Sequence, residues 1–416
     1  MYTSAEGRTA QQANPQTGHL NGHGARGRRA VLGSMMAATG ALARPAASFA
    51  QPSADPRPAN AFGRFAYVGC RTSKERDARG EGIQVYRIDS ASGAWTHVQL
   101  VKDLVNPSFL AFDRTQRFLY AVHGDMSDVS AFRIDVTDGT LTFLERRSTE
   151  GKNPVHLTPD EENRFIILAN YATGTVAVLP RRDDGNLDVV RQLEPLPGDP
   201  GPNKVDQTAS HPHEVAWDRR RQFLIVPDKG LDRIFTFRFD AAQGKLIAGD
   251  PAFVQVRPGA GPRHVVFHPK AALAFVAHEL DSSVGAYRYD VDRGTLTAFQ
   301  VIPSIPDTCT GANTAAEIDI TPSGRFVFVS NRGHDSIGSF SVDASSGRLA
   351  PIGWVSSEGH GPRFIALDPS GTLLHVANEN SDTIVPFRLD ADTGQLSRAG
   401  DVVQTGSPVC IVFSTI

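Results

Sequence analysis

Arg263, Glu279, Arg332 and His213 are the residues of this chain whose types and spacing could do chemistry together. A guanidinium presents a planar fork of donors that fits a carboxylate, a phosphate or an oxygen becoming negative. A glutamate and a histidine held beside two such forks supply a base and an acid. His264 and Asp228 fall at neighbouring positions and are expected to touch substrate, as is His211, although beside Pro212 it reads as a catalyst less readily than as a turn or packing histidine. Other routes lack their signatures: there is no G-x-S-x-G nucleophile turn, Cys309 has no partner, and neither H-E-x-x-H nor an aspartate-rich metal loop occurs. No metal or other cofactor is expected, and what remains is attack of water on an ester carbonyl or proton transfer beside a carboxylate. Polar residues at repeat tips also serve simply to tie loops to backbone. Arg363 and Glu379 repeat the Arg/Glu layout elsewhere in the chain, so the scaffold alone favours it.

His213 and Arg332 lie over a hundred positions apart, so a fold must gather them. A turn of the form Asp-x-x-x-Gly starts at Asp89, Asp135, Asp240, Asp290, Asp343 and Asp390, and RRDDG from Arg181 fills the missing place. These seven copies recur at roughly 46 to 59 residues, the size of a four-stranded propeller blade. Asp bonds locally to the turn backbone and Gly supplies positive φ. Before each turn stands a second signal, usually a Pro, an alternating strand, a D/H-P or T-P turn and a strand ending in a polar residue. Residues 261–279 and 361–379 are two copies.

The reading is an all-β, seven-bladed β-propeller of four-stranded antiparallel blades over 62–416. The first blade has an outgoing strand, FAYVGC (65–70), with no inner strand before it. VCIVFS (409–414) ends the chain as an inner strand with nothing after it. Pairing the two closes the ring and removes both sheet edges. In each blade the start of the inner strand and the end of the next share one face, so His213 and Asp228, then Arg263, His264 and Glu279, then Arg332 come from three consecutive blades. Cys70 and Cys410 fall on neighbouring strands and are expected as buried thiols. His268, beside Pro269, and Asp319 and Asp368 read as turn or strand-bonding residues.

The balance of 42 Lys+Arg against 45 Asp+Glu, net −3, argues against a nucleic-acid or membrane-surface footprint. The first sixty residues differ from the rest. Arg28-Arg29 precede an apolar run, AVLGSMMAATGALA, and Ser48-Phe49-Ala50 makes a small-x-small site. This is the layout of a twin-arginine export signal over 1–50, cleaved before Gln51, with a Pro/Ala linker over 51–61. It places the mature protein in the periplasm or outside the cell, as a monomer or weak oligomer.

GAGPRHVVFHP (259–269), HELDSSVGAY (278–287), AEIDITPSGRFVFVSNRGHDSI (316–337), GPRFIALDPSGTLLHVANENSDTI (361–384) and SHPHEVAWD (210–218) resemble the seven-bladed β-propeller lactonases. That family includes the propeller-type 6-phosphogluconolactonases and the fungal carboxy-cis,cis-muconate cyclases. The resemblance runs from about Phe65 to the C-terminus. It implies a site of one His, two Arg and one Glu, which by motif are His213, Arg263, Glu279 and Arg332. His213 is preferred to His211 because it sits deeper in its strand. Where the family commonly has Asn-Glu this chain has His278-Glu279. The implied activity is hydrolysis of a sugar lactone or related acidic lactone, the small-molecule partner expected here. A muconate-type lactonising cyclase and a non-catalytic binding propeller are the alternatives.

Overall fold

The structure, a computed structural model, describes residues 63–416. The expected export signal and the whole of the expected linker lie outside the described residues. The described residues form seven antiparallel sheets arranged as blades. Blade 1 joins both ends of this stretch, with Pro408–Ser414 innermost, then Phe65–Cys70, Ile83–Ile88 and Trp95–Val101. Phe65 pairs with Ser414 and Gly69 with Cys410, so the two orphan strands pair as expected and close the ring. Cys70 and Cys410 are buried free thiols. Blades 2 to 7 begin with inner strands Pro107–Phe112, Pro154–Pro159, Ala216–Trp217, Pro262–Phe267, Thr314–Ile320 and Pro362–Leu367. In blade 7 the outer strand is split into Leu396–Arg398 and Val403–Gln404.

Two turns punctuate most blades, and an aspartate builds most of them. Between the inner and second strands, Asp113, Asp160, Asp218 and Asp368 each accept backbone N–H groups four and five residues on. His268 does the corresponding work in blade 5, accepting from Lys270 and Ala271 N–H. Between the third and fourth strands, Asp290 accepts from Asp292 and Arg293 N–H, and Gly294 N–H donates to its carbonyl.

The glycine of that turn also makes the seam between blades. In blade 5 a Cβ on Gly294, φ +69°, would lie 2.5 Å from the Phe223 ring of blade 4. The Gly294 carbonyl accepts the Thr236 hydroxyl of the same neighbour at 3.0 Å. Tyr67 reaches Gly139 and Tyr120 reaches Gly185 in the same way, at 2.9 and 2.8 Å. Apolar strand faces stack between blades around these points, as in the cluster of Ile225, Val265, Val276 and Tyr287. Gly294→Ala would combine backbone strain of about 1 kcal/mol with overpacking of about 1–3 kcal/mol. Urea unfolding should show a loss of about 2–4 kcal/mol. Gly353→Ala, where an added methyl meets nothing within 4 Å, should cost much less.

Candidate active site

The inner end of every blade is built alike. The inner strand pairs at one residue, skips the next and resumes: Pro262 opposes His278 and His264 opposes Ala277, leaving Arg263 out of the ladder. The same slip passes over Ser108, Val155, Arg363 and Val409. A bulge of this kind re-aims one side chain, here toward the hub. His213 holds that place in blade 4, where Pro212 bridges Asp228 and His213 N–H donates to Pro227 O. One step further in come His156, Glu214, His264 and Glu317. The residue after the second strand forms a rim: Arg71, Tyr171, Lys229, Glu279 and Glu379 each donate their backbone N–H to the carbonyl of the residue preceding the inner-strand proline. Arg332 has the same place in blade 6.

At the centre of the rim lies the Glu279 carboxylate. It is 3.1 Å from Lys229 Nζ, 3.0 Å from Arg263 Nε and 3.4 Å from Arg332 Nη2. Burial opposes its ionisation, but Arg332, Lys229 and Arg263 outweigh burial and hold its pKa far below the carboxylate range. Glu279 is therefore a fixed anion and a feeble base. Lys229, raised by Glu279 despite burial, stays charged. Arg263 donates from Nη1 to Ala316 O at 2.6 Å and is only 3% exposed. His278 bonds sideways, to Ser283 Oγ at 2.9 Å and Tyr287 Oη at 3.3 Å, and leaves the position of Glu279 intact.

Above this tier opens a cavity of about 280 Å³, whose lining includes His213, Lys229, Glu279, Arg332, Arg71 and Arg363. Arg71, 3% exposed, has Nε and Nη1 without hydrogen-bond partners. Its nearest acids are Asp125 at 3.5 Å and Glu379 at 3.7 Å, too far for hydrogen bonds. Burial, then the neighbouring Arg363, lower its pKa to about 9. Arg363 stands 3.8 Å from Glu379. Beneath lies a void of about 10 Å³ lined by Arg263, His264 and Glu317, with His213 facing both spaces.

His213 Nδ1 is 3.2 Å from His264 Nε2, and His264 Nδ1 is 2.7 Å from Glu317 Oε1. Burial, then the cations Arg263 and Arg363, keep both imidazoles neutral, far below their usual pKa. Burial pushes Glu317 up to about 8.

His213, Glu279 and Arg332 thus meet at one cavity, with Arg263 braced directly below. His264 stands behind His213. Asp228 and His211 do not line the cavity. Asp228 is consumed by Ser210 Oγ and the N–H groups of His211, Gly230 and Leu231. The His211 ring stacks on Tyr171 at 4.5 Å. Of the three residues expected to touch substrate, none lines this cavity, and the expectation is corrected to that extent: His264 is one layer behind His213, and the rim residue of blade 4 is Lys229, one position after Asp228. Lys229, Arg71, Tyr171 and Glu317 are the residues the sequence reading missed. Aligning the blades on their prolines finds the first three; the blade 6 strand has no proline, and Glu317 follows only from its pairing level with His264.

The seven-bladed β-propeller lactonase family model matches residues 65–413. The 6-phosphogluconolactonase of Bacillus subtilis is 35% identical over 305 residues, 73% of this chain and 84% of that protein. That of Formosa agariphila is 31% identical, covering 73% of this chain and 86% of its own. The solved Pseudomonas aeruginosa periplasmic gluconolactonase superposes with a TM-score of 0.77 at 33% identity, covering 84% of this chain and 99% of its own. With seven blades closed end to end and this match along almost all of them, the chain belongs to the seven-bladed β-propeller lactonases.

Proposed function

We propose that the hub cavity hydrolyses a sugar lactone, or a related lactone, that carries an acid group. The observation that carries this is a neutral imidazole, His213, facing a cavity whose other walls bear Arg71, Arg76, Lys229, Arg332 and Arg363. The relatives named 6-phosphogluconolactonase and the neighbour named gluconolactonase favour an aldonolactone ring.

In this reading the acid group sits against Arg71 and Arg363, whose donors are the least satisfied in the cavity. The lactone carbonyl faces Arg332 and Lys229, which stabilise the oxygen as it becomes negative. His213 takes a proton from water, the water oxygen bonds to the carbonyl carbon, and the ring C–O bond then breaks with the proton returned to the ring oxygen. Glu279 is not the base here, because three neighbouring cations depress its affinity for a proton. Together with Arg263 it fixes where Arg332 and Lys229 stand.

The same reading keeps export as a proposal. Arg28-Arg29 and the apolar run after them carry it, and a periplasmic relative is consistent with it. A substrate outside the cytoplasm would follow.

Two outcomes are expected. Given an aldonolactone without charge, its 6-phosphate and a lactone bearing a carboxylate, the purified protein should prefer a charged one in kcat/KM by at least tenfold. Equal rates would remove the acid group from the proposal, and binding without turnover would favour a non-catalytic role. Arg71→Met should raise KM for the charged lactone roughly 10- to 100-fold, as for loss of a charge-assisted hydrogen bond, with kcat little changed. A fall in kcat with KM unmoved would place Arg71 at the reacting carbonyl instead.

A further inference from the structure

We infer that Glu317 and His264 form a buried proton store behind His213, so that the proton His213 takes from water passes to the Glu317 carboxylate and does not remain on an imidazole. The inference rests on His213 being the base proposed above, and it assigns a role to Glu317, which holds no place in the four-residue set.

Geometry comes first. The three groups form one hydrogen-bonded line, 3.2 Å and then 2.7 Å, drawn from blades 4, 5 and 6. All three are buried, and the line ends at the cavity through His213, whose Nε2 has no partner among the described residues. The neighbouring Glu214 and His156 are separate from it: Glu214 Oε2 accepts Val265 N–H, and its other oxygen is 3.7 Å from His156.

Charge supplies the reason for a store. Arg263, Arg363 and Lys229 all disfavour a positive His213. An ordinary histidine base would have to become an imidazolium among them. With Glu317 ionised, His264 Nδ1–H donates to it and His213 Nδ1–H donates to His264 Nε2, leaving the His213 Nε2 lone pair toward the cavity. When Nε2 gains the proton of water, His213 Nδ1–H breaks to form His264 Nε2–H, and His264 Nδ1–H breaks to form the Glu317 O–H. Both rings end neutral and one buried carboxylate loses its charge. The reverse sequence delivers the proton to the departing ring oxygen, so lactone plus water balances to hydroxy acid. Glu317 touches no substrate in this scheme and is a positioning residue that acts through His213.

The groups facing Glu317 agree with this direction. Burial raises it, Arg263, 4.0 Å away, and Arg363 pull it down, and the net result is about 8. Asp319 and Glu214, both raised by burial, and the Cys410 thiol, also raised by burial, complete its charged and titratable surroundings beside His264. Transfer from either imidazole to Glu317 is therefore downhill. Below a pH of about 8 the free enzyme carries the proton on Glu317 and presents Nε2–H, with no lone pair for water.

The test is the pH dependence of kcat and KM for the preferred lactone in wild type, Glu317→Gln and Glu317→Asp. Wild-type kcat/KM should fall as pH drops through about 8. Glu317→Gln should lose roughly 10- to 100-fold in kcat with KM held within about twofold, and its acid limb should move at least about one unit lower. Glu317→Asp should recover part of both. An unchanged limb and kcat in Glu317→Gln would overturn the store. A fold check comes with the variant. A carboxyl whose folded pKa is raised holds its proton when the unfolded chain has released it, so wild-type stability declines as pH rises from the usual carboxylate range to about 8. The melting temperature of Glu317→Gln should gain on wild type across that window. If wild type opens no lactone, the functional reading fails, and nitrogen NMR of the histidines still decides the store. His213 should exchange its Nδ1–H for Nε2–H, while staying neutral, as pH falls through the limb. Retention of that exchange in Glu317→Gln would contradict the inference.

Discussion

The Glu279 carboxylate stands among Lys229, Arg263 and Arg332, and the hub depends on that arrangement. Without it the three cations would repel one another, and the two buried ones, Lys229 and Arg263, would lose most of their hydration uncompensated, at a cost on the order of several kcal/mol each. With it, each is held in one place, and Lys229 and Arg332 keep donors for whatever enters the cavity. Across the cavity Arg71 has no such anchor. Its acids sit beyond hydrogen-bond range, and its unpaired donors are the part of the hub best suited to a ligand's oxyanion.

The repeated backbone makes this gathering cheap. A one-residue bulge beside the inner-strand proline turns one side chain toward the hub in blade after blade. The scaffold does not care which residue stands there: Val155, Ser108, Arg363 and Arg263 all occupy equivalent places. What differs is the side chain at each fixed station: His213 and Arg263 stand at the bulge where blades 2 and 3 carry Ser108 and Val155, and Glu279 and Arg332 stand at the rim where blade 3 carries Tyr171. The outer seam obeys the opposite rule. There the turn glycine meets a neighbouring ring, and little variety fits.

Most of the fold was legible because its signals are local. The Asp-x-x-x-Gly turns, the prolines and the two orphan strands at the ends gave blade number and closure. Cys70 and Cys410 fell where those strands implied. The second duty of the turn glycine, as the contact point between blades, was not visible, because it depends on a phenylalanine some seventy residues earlier, such as Phe223 for Gly294. Three of the four main candidates at the hub line its cavity and the fourth lies under it. Ending the blade 4 strand at Asp228 stops one residue short: Lys229 follows Pro212 by 17 positions, as Glu279 follows Pro262, and a register error of one residue exchanges a cavity wall for a turn anchor. Glu317 carries no proline signal before it, and only its level with His264 of the preceding blade places it deep in the hub. Residues 1–62 lie outside the described chain, and the export reading rests on their sequence alone.

The proposed mechanism rests on His213, the imidazole that lines the cavity with one ring nitrogen free of partners among the described residues. The most direct measurement is kcat/KM of His213→Ala for the preferred lactone, beside a circular dichroism and melting comparison with wild type. The account predicts a loss of about a thousandfold or more in a folded protein, as for removal of a general base. A folded variant within tenfold of wild type would contradict it.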